Sequence, residues 1–205
     1  MKKEFTDTYV NDRWKMHLGE SKSGDGSALI YTENYRENLL KIIKDFKINI
    51  MVDCSCGDWN WMKEIKTKLP KYIGIDIVEE LIEENKKKYG SDNIEFICND
   101  MLTQLKEYNN KEIDLTTCRH TLEHLPIEYS LEVLRELKRV SKYSIIGSGN
   151  GSENNFVDFI MDGYKGRIVN LDCEPYHSEL NSPIIKFPDI KKGNPIGYFG
   201  YVYKF

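Results

Sequence analysis

The chain of 205 residues has no apolar run approaching the twenty or so residues that cross a bilayer. Its start, MKKEFTDTYVNDRWK, lacks the apolar stretch of a secretory signal. The expected location is therefore the cytoplasm, with no membrane partner. Positive charge is not in excess: 33 acids against 29 Lys and Arg leave a formal net charge of −4. Nucleic-acid-binding domains normally carry a basic excess or stripe, so a nucleic-acid partner is not expected. The densest lysines, Lys86 to Lys88, follow Glu79, Glu80, Glu83 and Glu84 on one helical segment, where i,i+4 pairing makes a solvated face. Cysteine is scarce and odd in number: Cys54, Cys56, Cys98, Cys118 and Cys173, most of them in apolar, strand-like runs. That excludes a disulfide framework and fits reduced, buried thiols. Cys54 and Cys56 have no second pair with metal-ligand spacing, so no metal site is expected. The phosphate-cradling patterns G-x-G-x-x-G and G-x-x-x-x-G-K-[ST] are both missing, which argues against a dinucleotide or a nucleoside triphosphate.

What is present is an alternation of short apolar runs and helical patterns. Residues 48–54, 71–76, 93–99, 113–118 and 143–149 read as strands, the first β-branched and apolar as in a strand buried on both faces. Helical stretches are expected over 59–69, stopped by Pro70, over 78–90, closed by Gly90, through Leu102 and Leu105, and onward from Pro126 to Val140. Strands joined in this way require right-handed parallel crossovers, hence a doubly wound α/β sheet. Residues 1–47 carry the Gly/Ser segment GESKSGDGS (19–27) and a helix-like stretch over 32–46, and read as a cap or lid. Residues 48–149 read as a cofactor-binding core. Residues 150–205, ending in the aromatic strand YFGYVYKF, read as acceptor-side loops and last strands of the same single domain.

Ligands of open α/β sheets bind beyond the carboxyl ends of the strands, so those ends hold the candidate residues. The first ends in Asp53-Cys54-Ser55-Cys56-Gly57-Asp58. An acid followed by a turn of small residues lets backbone approach a ligand closely, and a helix N-terminus suits a carboxylate. Asp58 capping the helix is the plainer alternative. The second ends in Asp76, nineteen residues beyond Gly57, about the spacing at which an acid grasps ribose hydroxyls; a helix cap competes for it. The third ends in Asp100 and Met101, positioned either to meet an adenine ring or to cap a helix. The fourth runs Cys118-Arg119-His120-Thr121-Leu122-Glu123-His124. His120 and His124 share a face in a helical turn, and a histidine near neutral pH can take a proton from an acceptor hydroxyl. His124 as a packed histidine and Arg119 as an acid's partner are the alternatives. The order H-T-L-E-H also differs from the H-E-x-x-H of zinc proteases.

At these residues the chain resembles the class I S-adenosylmethionine-dependent methyltransferases, from Ile48 to about Gly147. Their first motif, D-x-G-x-G-x-G, is kept at Asp53 and Gly57, with Ser55 and Trp59 at the outer glycines. The resemblance implies a seven-stranded, mainly parallel sheet with a C-terminal antiparallel strand. It also implies S-adenosyl-L-methionine as cofactor and S-adenosyl-L-homocysteine as product. It implies that Asp76 binds ribose and that Asp100 and Met101 meet adenine; Asp53, Cys54, Ser55, Gly57, Asp58, Trp61, Ile77 and Cys118 complete the expected cofactor-binding set, and Arg119, His120 and His124 are the residues expected to be catalytic. A narrower similarity is to bacterial methyltransferases associated with surface-polysaccharide genes. It is carried by Trp14, by Glu20-Ser21-Lys22-Ser23-Gly24-Asp25-Gly26-Ser27, by CGDWNWM (56–62), by Cys118-Arg119 with His124-Leu125, and by Arg167, Asn170, Leu171, Pro175 and Tyr176. It implies O-methylation of a small sugar, sugar nucleotide or phosphate-type acceptor in capsule polysaccharide biosynthesis. A cofactor-binding module without catalysis, or a methyltransferase for another small metabolite, stands as the alternative. The D/N-P-P-Y/F and Pro-Cys signatures of nucleic-acid methyltransferases are absent from the fourth strand.

Overall fold

The computed structural model describes residues 1–14, 18–149, 167–190 and 197–205. Its centre is a seven-stranded sheet: β1 (Ile50–Cys54), β2 (Lys71–Asp76), β3 (Ile94–Cys98), β4 (Ile113–Arg119), β5 (Ser141–Gly149), β6 (Ile185–Pro188) and β7 (Tyr198–Lys204). The spatial order is β3-β2-β1-β4-β5-β7-β6. The first five strands are parallel; β7 runs antiparallel to both β5 and β6. Strand order reverses between β1 and β4, so their carboxyl ends open the crevice in which a doubly wound fold binds ligands.

The pleat explains the core. Neighbouring residues along a strand point to opposite faces. Met51, Tyr72, Leu115, Ile145 and Val202 pack on one face, with Tyr35, Leu39 and Ile42 of α2 (Leu29–Asp45) and Ile82 of α3 (Glu79–Tyr89). Val52, Ile73, Ile146, Tyr201 and Tyr203 pack on the other. There they meet Leu102 and Leu105 of α4 (Met101–Lys106), Leu134 and Leu137 of α5 (Ile127–Val140) and Tyr176 and Leu180 of α6 (Tyr176–Leu180).

Three features differ from the sequence reading. The helix expected over 59–69 is a shorter 3-10 stretch, Met62–Lys68. The turn consumes residues 59–61, because Trp59 is almost fully buried in a left-handed conformation, against Tyr72, Tyr89 and Phe96. A nine-residue helix, α1 (Lys2–Val10), and the edge strand β6 were not anticipated; Pro188 ends β6 at the sheet's edge, where no ladder donor is required.

Candidate active site

Three alternate positions of the β1 turn carry left-handed backbone: Ser55 (φ 68°), Gly57 (φ 57°) and Trp59 (φ 57°). The pattern of a glycine turn is thus kept with two side chains on it, at a steric cost of about 1–2 kcal/mol each. Ser55 offsets part of this by donating its hydroxyl to Cys54 O at 2.5 Å and to Thr121 Oγ1 at 2.8 Å. Gly57 is different: besides its φ, a Cβ there would collide with Ser23 Oγ, so a side chain would have to displace that hydroxyl from the turn.

The turn opens on a cavity of about 680 Å³, within the 300–1,000 Å³ usual for small-molecule sites. Asp53, Ser55, Gly57, Asp58, Trp61, Asp76, Ile77, Asp100 and Met101 line it, and so do Arg119, His120 and His124. The ends of four parallel strands therefore meet at one hollow. Cys54 and Cys118 do not reach it. Both are fully buried and pack in the core on the α4–α5 face, and burial pushes the Cys118 thiol up to about 12, so both stay protonated. The sequence reading of these two as cofactor contacts is corrected accordingly.

The three strand-end acids are held in different ways. Asp53 is buried and accepts from Tyr72 Oη at 2.8 Å and Thr117 Oγ1 at 2.7 Å; burial raises its pKa in spite of these bonds. Asp76 accepts the Gly57 N–H at 2.9 Å and the Val78 N–H at 3.0 Å, joining the β1 turn to the start of α3. Burial pushes it up to about 6. A carboxylate offers about four lone-pair sites, so two remain for a diol and the capping role does not exclude the other. Asp100 caps α4 by accepting from Thr103 N at 3.0 Å, while its second oxygen accepts from Tyr129 Oη at 2.6 Å.

Asp58 lines the cavity and caps no helix, although its Oδ1 accepts from Asn60 N at 3.3 Å. Its carboxylate accepts from Ser21 Oγ (2.8 Å), Lys22 N (2.7 Å) and Ser23 Oγ (3.1 Å), drawing the Gly/Ser segment against the turn. Asn60 bonds Ser27 O at 3.0 Å, and Arg119 Nη2 bonds Gly26 O at 3.0 Å. Gly24, Asp25, Gly26 and Ser27 consequently form part of the cavity wall, and α1 adds Phe5 and Tyr9. Tyr9 reaches Ser23 Oγ at 2.9 Å, and Trp14 lies 5.1 Å from the ring of His124. The i,i+4 spacing of Phe5 and Tyr9 was a helical signal in the sequence that went unread.

The histidines are not equivalent. His120 Nε2 is 2.7 Å from Asp189 Oδ2 and Nδ1 is 3.3 Å from Glu123 Oε1. Burial and the Arg119 charge work to lower its pKa, but the two carboxylates outweigh them and raise it. A carboxylate against each ring nitrogen favours the protonated form of His120, which works against a base role for it. His124 carries a lowered pKa, chiefly through burial, so its imidazole is neutral near pH 7. Arg119 has the plainer of its two roles: Nε lies 3.2 and 3.1 Å from the two Asp189 oxygens. Asp189, fully buried between β6 and β7, was not found from sequence; a lone acid after Pro188 carries no pattern.

Among the described residues lining the cavity, six acids (Asp25, Asp53, Asp58, Asp76, Asp100, Glu123) face two arginines, Arg119 and Arg167. Such a wall suits a cationic nucleoside better than a pyrophosphate. No cluster of three His, Cys, Asp or Glu among the described residues is arranged to hold a metal ion. No described helix is long and apolar enough to cross a membrane.

Residues 51–144, from β1 into β5, match the family described as methyltransferase domain. This match and the fold together support an S-adenosylmethionine-dependent methyltransferase. The fold is that of the class I enzymes. Aligned with 1,6-didemethyltoxoflavin-N1-methyltransferase from Burkholderia thailandensis, solved with S-adenosylhomocysteine, the chain superposes with a TM-score of 0.71 at 11% identity, over 99% of this chain and 86% of that one. An S-adenosylmethionine-dependent methyltransferase from Clostridium acetobutylicum gives 0.63 at 14% identity, over 84% and 91% of the two chains. One from Archaeoglobus fulgidus gives 0.57 at 20%, over 85% and 94%. At these identities the likeness is one of fold. No curated protein matches the chain in sequence. The acidic hollow at the β1–β4 crevice fits the positive charge of an S-adenosylmethionine cofactor.

Proposed function

We propose that this methyltransferase acts on an oxygen of a small carbohydrate-type acceptor, a sugar, sugar nucleotide or phosphate-bearing precursor of surface polysaccharide, in the cytoplasm. The observation that carries the reading is that Asp53, Asp76 and Asp100 line the same cavity as a neutral histidine, His124. When bound, the cofactor supplies an electrophilic methyl group on a sulfonium. The chain's own residues do the rest. Asp76 accepts the ribose hydroxyls with its two remaining lone-pair sites. Met101 and Ile77 enclose the adenine, with Asp100 at its edge. Asp53 attracts the ammonium of the methionine part, directly or through water. His124 takes the proton from the acceptor hydroxyl as the oxygen attacks. Alignment of the reactants is the larger contribution, about 7–11 kcal/mol, and general-base assistance adds a factor of about 10² to 10⁴.

In this reading residues 19–27 with α1 are a lid, and Asp58 is its latch. The lid excludes water and strengthens electrostatic contacts within the site. The direct test is turnover: tritium from S-[methyl-³H]adenosylmethionine is followed into separate pools of neutral sugars, sugar nucleotides and sugar phosphates. Label in one of these pools, with release of S-adenosylhomocysteine, supports the proposal. Binding of S-adenosylhomocysteine with no label transferred to any pool contradicts it and favours a cofactor-binding module.

A further inference from the structure

The phenol of Tyr129, in the first turn of α5, donates to Asp100 Oδ2 at 2.6 Å and ties that helix to the start of α4. Asp100 Oδ1 accepts twice from Thr103, from its N–H at 3.0 Å and its hydroxyl at 3.2 Å. Both carboxylate oxygens are therefore pinned, and the group cannot turn without losing a bond. Of its roughly four lone-pair sites, three are taken and one is left. Burial, reinforced by the bond to Asp100, raises the Tyr129 pKa, so the phenol keeps its proton and is the donor. The bond from Tyr129 goes beyond what the helix cap requires, since capping uses only Oδ1 and the Thr103 N–H. Nor is it needed to join the helices, which pack through Leu102, Leu105, Leu134 and Leu137. Both Asp100 and Tyr129 keep part of their surface accessible, and both line the cavity.

We propose that Tyr129 is a positioning residue for the nucleoside: by fixing Asp100 with one lone-pair site to spare, it makes the site select a 6-aminopurine over a 6-oxopurine. The inference rests on the methyl-transfer reading above, in which Asp100 lies at the edge of the adenine, and adds to it the basis of base selection. Adenine presents a donor at its 6-amino group and an acceptor at ring N1. Hypoxanthine reverses both, with a carbonyl oxygen at position 6 and a hydrogen on N1. A carboxylate only accepts, so it bonds the amino group and repels the carbonyl. A carboxylate free to turn could escape that repulsion by swinging across to the N1 hydrogen. Asp100, held by Tyr129 on one oxygen and Thr103 on the other, cannot follow. A polar group fixed for one partner rejects the wrong one strongly, because the mismatch leaves it unpaired.

The test is calorimetric titration of two ligands into the full wild-type chain and Tyr129→Phe: S-adenosylhomocysteine and S-inosylhomocysteine, its hypoxanthine analogue. The wild type should prefer the adenosyl compound by about tenfold or more, as for a charge-assisted hydrogen bond. Tyr129→Phe keeps the ring and loses only the hydroxyl. In it S-adenosylhomocysteine should bind more weakly and S-inosylhomocysteine no worse, so that the preference shrinks by about threefold or more. If Tyr129→Phe fails to fold, Thr103→Ala, which removes a different pin from the same carboxylate, should shrink the preference in the same direction. A merely structural role for Tyr129 would lower both affinities together and keep their ratio. That result, or a wild type without the preference, overturns the inference and leaves the methyl-transfer reading standing. A wild-type chain that binds neither nucleoside removes that reading itself, and this inference with it.

Discussion

His120 Nε2 stands 2.7 Å from Asp189 Oδ2, and that carboxylate is at the same time the partner of Arg119. Asp189 is fully buried, so it joins β4 to the β6–β7 connection through charges that have lost their water. Removing it strands two cations in a dry site. Asp189→Ala is expected to destabilise the fold by about 3–5 kcal/mol, read as a lower denaturation midpoint in urea. A loss below about 1 kcal/mol would show that the cluster is solvated.

His124, not His120, is the expected base, and the pH profile separates them. A base acts when neutral, so kcat/KM should be retained above the pKa of His124 and lost as pH falls through it. Burial places that pKa below the ordinary 6.5. His124→Ala should lower kcat by about 10² to 10⁴ and abolish the acid limb, with S-adenosylhomocysteine affinity unchanged. His120→Gln should retain the limb. If His120→Gln removes it and His124→Ala does not, the roles are reversed.

Asp58 is the only acid of the β1 turn shown here to reach the Gly/Ser segment, through three hydrogen bonds. Asp58→Ala should unlatch that segment and accelerate S-adenosylhomocysteine dissociation about tenfold or more in stopped-flow displacement, each lost charge-assisted bond contributing roughly 1.5–3 kcal/mol at most. An unchanged dissociation rate would mean that residues 19–27 do not gate the cofactor.

Trp59 sets packing against backbone strain. Its ring meets Tyr72, Tyr89 and Phe96 with centroids 4.8–5.5 Å away. Trp59→Gly relieves the left-handed conformation, worth about 1–2 kcal/mol, but forfeits about 3–5 kcal/mol of buried aromatic packing. The net expectation is a loss of about 1–4 kcal/mol in equilibrium unfolding. A gain in stability would show that strain dominates.

The parallel core was legible because its signals are local. Apolar runs such as 71–76 ended in an acid, helices were punctuated by Pro126 and Gly90, and both survive as β2, α3 and α5 within a few residues. The hollow at their carboxyl ends follows from topology, which is why Asp53, Asp76 and Asp100 were found together. What escaped depends on contacts distant in sequence. Asp189 acquires its role only from Arg119 and His120, seventy and sixty-nine positions away. Tyr129 went unread because the carboxylate it holds lies twenty-nine positions earlier. Asp58 looked like a helix cap because the partner it holds lies thirty-five or more positions earlier. Cys54 and Cys118 were misassigned because proximity in sequence to a ligand turn does not tell on which face of the pleat a side chain falls.

Asp76 is where the whole account is most exposed. It ties Gly57 to Val78 and is held up to about 6 by burial, so its neutral form gains in the fold while ribose binding requires the ionised one. Affinity for S-adenosylhomocysteine should therefore be full at pH 8 and fall as pH drops through about 6. The deciding measurement is calorimetric titration of S-adenosylhomocysteine into the wild-type chain and Asp76→Asn at pH 8 and pH 5. The account predicts 1:1 binding to the wild type that weakens at pH 5, and a folded Asp76→Asn that is weaker by tenfold or more at pH 8, as for a lost charge-assisted hydrogen bond. A wild-type chain that gives no binding at pH 8, or a folded variant that binds as tightly as the wild type, would contradict it.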